Sequence, residues 1–266
     1  MDSGFFFRKG ALQLKKFIPI FVIFLLPLMM VAGCSNQADV KKTLHVGISA
    51  DYPPFEFTEN REKGLKGFDI DLMRAIGKEM GYEVVFQDMG FDDLLGTLEK
   101  GNVDMVISAM SINEERKARV NFSDSYYESG MAIAVRRDNA DIKSFTDLPG
   151  HRIAVATGTT SAFEMRELKS IELVELPNAQ DAFHSLLSGY ADAVVSDKPV
   201  VDYFLNTNDG INVKTLPTLL KKEHFGIAVG KKNNELKGKI DDALQKIKEK
   251  GIYDKIYVKW FGNEGV

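Results

Sequence analysis

The sequence predicts an α/β protein of two similar lobes, in which helices cover mainly parallel sheets. Short apolar segments alternate with amphipathic helical patterns along residues 43–262, glycines end several of the helical patterns, and one helix–glycine–strand pattern occurs twice. Alternating strands and helices favour parallel sheets whose faces are covered by helices. With about 225 residues after the N-terminal region, the chain is long enough for two lobes or one large domain.

The individual elements follow from the periodicity of apolar residues. The predicted strands cover 44–48, 84–87, 103–107, 152–156 and 193–195. Apolar runs of this length, bounded by turn residues, are typical of buried strands. The predicted helices cover 69–80, 92–100, 162–168, 178–188 and 235–250. The aromatic segment 253–261 follows the last helix, and we expect it to pack back onto the first lobe.

The repeated pattern is L-x-x-G-x-x-D-x-V-x-S, found at 98–108 and 186–196. Its glycine suits the left-handed end of a helix, and an apolar strand follows. The pattern could be a common βαβ feature, but it also fits two lobes whose strands end in polar residues. Ligands bind at such strand ends in open α/β sheets. We interpret 129–135 and 225–230 as two crossover strands that form a hinge, although both could equally be core strands.

The N-terminal region has the features of an export signal. Four basic residues precede the apolar run 17–32, which is short for a membrane span. The run ends in Val-Ala-Gly before Cys34, the only cysteine of the chain, which resembles a bacterial lipobox. We predict a signal peptide over 1–33 and a lipidated Cys34 with a polar tether over 34–42. The alternative is a free thiol in an apolar segment.

Net charge argues against some partners. The chain carries 34 basic and 38 acidic residues, for a formal charge of −4. Removal of residues 1–34 leaves 30 basic and 37 acidic residues, or −7. An acidic surface argues against nucleic acid and against a basic membrane-binding patch.

Polar residues after the buried strand 103–107 form the first candidate anion site. Ser111 and Glu114 match a capping box, so we expect Ser111 to begin a helical turn. Free N–H groups there attract an anion, and Arg116 adds a guanidinium suited to a carboxylate. The alternative is that Arg116 pairs with a surface acid, as we expect Arg119 to do.

In the second predicted lobe, a glycine-containing loop follows the strand 152–156 and precedes a helix. It offers N–H groups and hydroxyls to a carboxylate, although a simple capping loop is an equal interpretation; its polar residues are Thr157, Thr159, Thr160 and Ser161. It lacks the phosphate-binding G-x-x-x-x-G-K-[ST] motif. Asp197 ends the second repeated strand and could pair with an ammonium group, or could cap the following helix. Tyr52 and Phe91 could wall a pocket or belong to the core.

Taken in order, the blocks GISADYPPFEF, GFDIDLMRAIGKEMG, VISAMSINEERKARVNFSDSYYESG, IAVATGTTSA, VVSD and GIYDKIYVKWFG give the chain a family resemblance. Residues 43–262 resemble the polar amino-acid-binding proteins of ABC importers (bacterial solute-binding protein family 3), of the arginine-, histidine- and glutamine-binding type. The resemblance implies a two-lobed, two-hinge Venus-flytrap fold. It places lobe 1 at 43–131 and 229–266 and lobe 2, with the hinge strands, at 132–228.

The resemblance also implies roles for residues. Arg116 would hold the ligand α-carboxylate, with N–H and hydroxyl groups of Ser111 and of the Thr159–Thr160 loop. Asp197 would take the α-ammonium group, together with the Ala109 carbonyl. Tyr52 and Phe91 would enclose the ligand side chain. The predicted binding residues are Ser49, Asp51, Tyr52, Phe91, Ser108, Ala109, Met110, Ser111, Arg116, Thr157, Thr159, Thr160, Ser161 and Asp197, with no metal and no cofactor.

The sequence departs from the family pattern at Ser49. Many members of the family have an acid there that binds a distal amine or amide, whereas here the nearest acid is Asp51. This argues against a lysine-like or ornithine-like ligand. Arginine remains plausible because a guanidinium can stack on Tyr52 and Phe91. Glutamine-like ligands are equally compatible.

Three classes of function compete. We favour an exported, membrane-anchored importer receptor, a monomer that delivers a polar L-amino acid to an ABC permease and ATPase. The alternative enzyme class is a periplasmic dehydratase of the same fold, but Asp69 and Asp71 resemble first-turn acids of a helix, and the four histidines show no metal spacing. A sensor-associated binding protein is the third class.

Overall fold

The computed structural model describes residues 42–58 and 64–263. The predicted signal peptide, Cys34 and most of the tether lie outside the described residues. Lys42, the last predicted tether residue, already belongs to the first strand. In the described part of the chain, no helix has both the length and the apolar character needed to cross a membrane.

The described chain alternates strands and helices, as the sequence predicts. The strands are β1 (Lys42–Ile48), β2 (Asp51–Tyr52), β3 (Glu56–Phe57), β4 (Tyr82–Asp88), β5 (Met105–Val106), β6 (Val120–Phe122), β7 (Tyr127–Arg136), β8 (Arg152–Ala156), β9 (Glu172–Leu176), β10 (Ala193–Asp197), β11 (Val213–Thr215), β12 (Leu220–Phe225) and β13 (Ala228–Gly230). The helices are α1 (Phe68–Met80), α2 (Phe91–Glu99), α3 (Glu114–Arg119), α4 (Thr160–Glu167), α5 (Ala179–Leu187), α6 (Lys198–Thr207), α7 (Asn234–Glu249) and α8 (Ile252–Phe261), with a 3₁₀ turn at Phe145–Asp147.

Two sheets organise the chain into two lobes. The sheet of lobe 1 has the order β4-β1-β5-β13-β6, and we assign to this lobe β1–β6, β13, α1–α3, α7 and α8. The sheet of lobe 2 has the order β11-β7-β10-β8-β9, with β12 paired to β7, and this lobe also contains α4–α6. The strand centres are apolar and fully buried, for example Val46 in lobe 1 and Val194 in lobe 2. The core of each lobe therefore lies between its sheet and its helices.

The sheets are mixed, so the expectation of mainly parallel sheets is wrong. β1 runs parallel to β4 and β5, and β8 runs parallel to β9 and β10. β7, however, is antiparallel to β10, β11 and β12, and β13 is antiparallel to β5 and β6. The antiparallel strands are those next to the crossings between lobes, where the chain must reverse its direction to enter or leave a sheet.

The two lobes are joined by two paired chain segments. Ser123 donates from its backbone N to the Ile227 carbonyl (2.8 Å), and Tyr126 donates to the Phe225 carbonyl (3.0 Å). The first crossing thus lies before the predicted segment 129–135, which is inside β7, and the second lies at the start of 225–230. A Cβ on Gly226 would approach the Ile112 Cδ1 atom to 2.8 Å, so a side chain at this crossing would require Ile112 to move.

The repeated sequence pattern forms the same local structure in both lobes. Its glycines, Gly101 and Gly189, have φ values of 75° and 78°, in the left-handed region. Its aspartates also act alike, because Asp104 accepts the backbone N–H of His45 (2.7 Å) and Asp192 accepts that of Arg152 (2.9 Å). Each aspartate therefore holds the backbone of the neighbouring strand, in the middle of β1 and at the first residue of β8, and each pattern ends in a serine beside the region between the lobes.

The aromatic C-terminal helix packs onto lobe 1, as expected. The Phe261 ring lies 5.1 Å from the Phe68 ring and 4.9 Å from the Tyr127 ring, measured between centroids. The Tyr253 hydroxyl donates to the Tyr126 carbonyl at 2.7 Å. α8 therefore also stabilises the first crossing segment.

Candidate functional site

A cavity lies between the lobes, where the strand ends of both sheets meet. Its empty volume is about 450 Å³, which includes open solvent at its mouth. Eleven of the fourteen predicted binding residues line it, namely Asp51, Tyr52, Phe91, Ser108, Ala109, Ser111, Arg116, Thr157, Thr159, Thr160 and Asp197. Ala156 and the Pro177–Ala179 segment complete the lining. We call this space the interlobe cavity.

Three predicted residues, Ser49, Met110 and Ser161, do not line the interlobe cavity. The Ser49 hydroxyl donates to Asp51 Oδ1 (3.2 Å), so it supports a lining residue instead. Met110 is 1% exposed and packs in the apolar cluster below α2. Ser161 is buried in the first turn of α4. We therefore leave these three side chains out of the proposed ligand contacts.

The helix that carries Arg116 begins differently from the prediction. The capping residue of α3 is Asn113, whose side-chain oxygen accepts the Arg116 backbone N–H at 2.8 Å. The expected capping box at Ser111 and Glu114 is wrong, because the Ser111 backbone bridges to Phe225 and its hydroxyl points elsewhere. The short helix still brings the Arg116 side chain to the cavity wall.

Arg116 is 6% exposed and faces lobe 2. Its two terminal nitrogens donate to the carbonyls of Ser111 (2.9 Å) and Gly158 (3.1 Å), and its guanidinium lies 5.3 Å from the centroid of the Phe91 ring. Among the residues that the structure describes, no carboxylate forms an ion pair with it, whereas Arg119 pairs with Glu99 at 2.7 Å. Burial lowers the pKa of the Arg116 guanidinium. A ligand carboxylate would supply the missing partner of a buried cation.

Asp197 lies on the lobe 2 side of the cavity and is 6% exposed. Its Oδ2 atom accepts the Tyr52 hydroxyl at 2.6 Å, and its Oδ1 atom accepts the Ser129 hydroxyl at 3.0 Å. Asp197 is the capping residue of α6 by position, but its side chain makes no capping hydrogen bond. Burial, and then the nearby carboxylate of Glu223, raise the pKa of Asp197 to about 7.

The sequence interpretation missed Glu223, a buried acid next to the interlobe cavity, as well as the lining residues Ala156 and Pro177–Ala179. Glu223 lies in β12, is 6% exposed, and its Oε2 atom accepts the hydroxyls of Ser111 (3.1 Å) and Thr160 (3.0 Å), one from each lobe. Its signal in the sequence is the alternation of β12, in which Glu223 shares the buried face with Phe225. A glutamate at an inward position of a strand indicates a polar interior.

The glycine-containing loop before α4 caps the helix, which is one of the two interpretations made from the sequence. Thr159 caps the helix by accepting the Ala162 N–H, and its hydroxyl donates to the Ala156 carbonyl at 2.7 Å. The Thr157 hydroxyl donates to the Leu176 carbonyl. These hydroxyls are engaged, so the groups left for a ligand are the backbone N–H groups of the first turn, which have no partner inside the helix.

Two acids and one base line the interlobe cavity: Asp51, Asp197 and Arg116. Burial, and then the carboxylate of Asp88, raise the pKa of Asp51, although the Asp51 side chain also lies at the exposed end of the cavity. With both acids ionised, the lining carries an excess of negative charge, which favours a ligand with a net positive charge. In the described ranges, no group of His, Cys, Asp and Glu side chains is arranged to hold a metal ion.

Comparison with known proteins gives consistent results. The model of the bacterial extracellular solute-binding proteins, family 3, matches residues 44–263. An ABC transporter arginine-binding protein of Escherichia coli (strain K12) is 36% identical over 238 residues, which cover 87% of this chain and 96% of that protein.

Solved structures agree with this. An ancestral arginine-binding protein bound to arginine superposes with a TM-score of 0.79 at 43% identity, covering 84% of this chain and 99% of that one, and a structure of the same description is bound to glutamine. An ancestral amino acid-binding protein described as a precursor of cyclohexadienyl dehydratase superposes with a TM-score of 0.77 at 40% identity, covering 82% and 95% of the two chains.

Proposed function

Because the chain belongs to family 3 of the bacterial extracellular solute-binding proteins, we propose that it captures a polar L-amino acid, arginine in the first place, for an ABC importer. It has the two-lobed α/β fold of the periplasmic binding proteins. Its relatives are amino-acid-binding proteins rather than enzymes. Membership of the family does not specify the ligand, so the choice of arginine is part of the proposal.

The observation that carries the proposal is the placement of Arg116 and Asp197. They are opposite charges on different lobes, each 6% exposed, and both line the interlobe cavity. A zwitterion pairs its carboxylate with Arg116 and its ammonium group with Asp197, so both buried charges gain a partner. Because the two contacts belong to different lobes, a bound amino acid stabilises the closed arrangement.

The far end of the cavity supports a cationic side chain. The Phe91 ring already contacts the guanidinium of Arg116. Tyr52 supplies a second aromatic ring to the lining of the same cavity. Asp51 supplies a carboxylate near the place where many family members have an acid at the Ser49 position. A ligand guanidinium would stack on the aromatic rings and face Asp51. Relatives described as arginine-binding agree with this choice.

The remaining parts of the proposal concern export, membrane anchoring and delivery of the ligand. We propose that the protein is exported, held at the membrane through a lipid on Cys34, and acts as a monomer that presents the closed, loaded form to a permease and its ATPase. The lipobox-like sequence before Cys34 supports the anchor. Metabolic labelling with a fatty acid analogue, compared between the wild type and Cys34→Ser, tests it.

A ligand screen tests the function. Thermal shift with the twenty L-amino acids, ornithine and citrulline is expected to show the largest stabilisation with arginine, and about 2.7 kcal/mol at one hundred times its dissociation constant. Citrulline matches arginine in shape but lacks its charge, so we expect it to bind more weakly. Equal binding of citrulline would contradict the role of Asp51. Absence of binding by any amino acid, or turnover of prephenate or arogenate, would contradict the proposed function.

A further inference from the structure

A buried layer of polar groups lies behind the cavity wall, in lobe 1. Glu56 and Asp69 are fully buried there, although an acidic side chain is seldom buried without a partner. The Ser108 hydroxyl donates to Glu56 Oε1 at 2.7 Å and accepts the Ser49 backbone N–H at 3.1 Å. Both acids are outside the cavity lining, so ligand contact does not explain them.

Asp69 holds the segment that reaches the cavity. Its Oδ2 atom accepts the backbone N–H of Ala109 (2.7 Å) and the hydroxyl of Tyr126 (2.8 Å). Ala109 has a φ of 41°, a left-handed conformation that an alanine adopts only when its surroundings enforce it. Because Ser108 and Ala109 both line the cavity, the two acids fix the backbone segment to which the proposed function assigns the ligand ammonium group.

One oxygen of each acid lacks an N–H or O–H donor. Glu56 Oε2 and Asp69 Oδ1 are buried and have no such partner among the described residues. Their other oxygens accept from two consecutive residues, Ser108 and Ala109, so the two carboxyl groups lie close together. A proton held between two acceptor oxygens gives each of them a hydrogen-bond partner. With a proton on Glu56 Oε2, every oxygen of the pair has a partner.

We propose that Glu56 and Asp69 share a single proton, and that this pair positions Ser108 and Ala109 for the ligand ammonium group. The positioning role rests on the proposed function, whereas the shared proton does not. The groups that face the pair agree with retention of the proton: Asp51 from β2 is acidic, and Tyr126 and Tyr253, from the first crossing and from α8, are neutral donors. Since no cation is among these groups, two ionised carboxylates would be left uncompensated.

Burial and the Asp69 carboxylate raise the pKa of Glu56 well above its usual range, and burial raises that of Asp69 to about 6. For an acid whose pKa is raised in the folded state, the free energy of unfolding falls as pH rises above its ordinary pKa. The Glu56 proton contributes to this pH dependence, so a variant without that proton should lose stability less steeply as pH rises.

The test compares Glu56→Gln with Glu56→Ala. Glutamine donates an amide N–H to Asp69 Oδ1 and still accepts from Ser108, so it reproduces the protonated state without a titratable group. We expect the affinity of Glu56→Gln for arginine to stay within about threefold of wild type, and that of Glu56→Ala to fall at least about tenfold because Asp69 and Ser108 each lose a partner. Glu83→Gln, an exposed acid on β4, controls for the change in net charge.

Infrared spectroscopy detects the proton directly, whether or not a ligand binds. At pH 8.5, wild type and Glu83→Gln are expected to show the carbonyl band of a protonated carboxyl group, and Glu56→Gln is expected to lack it. In a separate measurement, the stability of Glu56→Gln should fall less steeply than that of wild type as pH rises. Absence of the band in wild type would overturn the shared proton. Equal loss of affinity in Glu56→Gln and Glu56→Ala would overturn the positioning role. Failure of wild type to bind any amino acid would count against the proposed function and leave the infrared result valid.

Discussion

The Tyr52 hydroxyl of lobe 1 donates a 2.6 Å hydrogen bond to Asp197 Oδ2 of lobe 2. This bond joins the two walls of the interlobe cavity at the carboxylate that we assign to the ligand ammonium group. Ser129 donates to its other oxygen, and no Lys or Arg side chain among the described residues forms an ion pair with Asp197. The carboxylate is therefore held in place and, at neutral pH, only partly ionised.

We expect ligand affinity to depend on the proton of Asp197. Its pKa is raised to about 7, and the ammonium group of the ligand pairs with the ionised form, so binding below pH 7 must release the proton. Affinity should rise as pH increases towards 7, by at most about tenfold per pH unit, and level off above it.

Calorimetry in two buffers of different ionisation enthalpy measures this proton. It should find about one proton released per ligand at pH 6 and close to none at pH 8, where the ligand still carries its ammonium proton. The stability of the unliganded protein changes with pH in the opposite direction to ligand affinity. Because the folded-state pKa is raised, the contribution of Asp197 to the free energy of unfolding falls as pH rises to about 7. Affinity that is flat between pH 5 and 9 would contradict the assignment of Asp197.

Glu223→Gln should shift that pH profile to lower pH. The Glu223 carboxylate contributes to the raised pKa of Asp197, and glutamine removes its charge while still accepting from Ser111 and Thr160. The same two-buffer calorimetry at pH 6 should find fewer protons released than in wild type. Glu128→Gln removes an exposed acid from the adjacent strand and should leave the profile unchanged. A shift of equal size in both variants would indicate a general charge effect.

Gly158→Ala should weaken binding by opposing lobe closure. A Cβ at Gly158 would lie 1.7 Å from Asp92 Oδ1 on lobe 1, so the Asp92 side chain must turn away from the loop or the two lobes must separate slightly. If the closed population falls tenfold, the apparent affinity falls by about the same factor. Gly189→Ala is the matched control, because its φ of 78° resembles the 74° of Gly158 but its Cβ would meet nothing.

Both glycine variants should lose about 1–2 kcal/mol of stability from the left-handed backbone, measured by chemical denaturation. Only Gly158→Ala should lose affinity in calorimetry. If the two variants bind equally well, the contact between Gly158 and Asp92 has no role in closure.

Charged site residues that directly follow a strand could be predicted from the sequence. Those whose hydrogen-bond partners lie far away in the chain could not. Asp197 could be predicted because it ends a buried strand, and strand ends of both sheets meet in one region. Asp69 was interpreted as a first-turn acid of α1, whereas its carboxylate accepts from Ala109, 40 residues away. Its neighbour Asp71 is the acid that lies on the surface, where it accepts from Lys259 and Trp260.

A local sequence pattern also gave a wrong prediction where two polar residues could cap the same helix, α3. Ser111 matches a capping box, yet Asn113 is the cap, because Ser111 is held by a bridge to Phe225 in the second crossing. That contact joins segments more than one hundred residues apart, so no local pattern indicates it. The same separation explains why Glu223, which accepts from Ser111, was not among the predicted site residues.

The most direct test of the account is calorimetric titration of Arg116→Ala with arginine, beside Arg119→Ala. Both residues lie on α3, but Arg116 is buried at the cavity and Arg119 is paired with Glu99 on the surface. We predict that Arg116→Ala loses at least about thirtyfold in affinity, since a buried ligand carboxylate is left without its partner. Arg119→Ala should bind as wild type does. Unchanged affinity in Arg116→Ala would contradict the binding of an amino-acid carboxylate at this site.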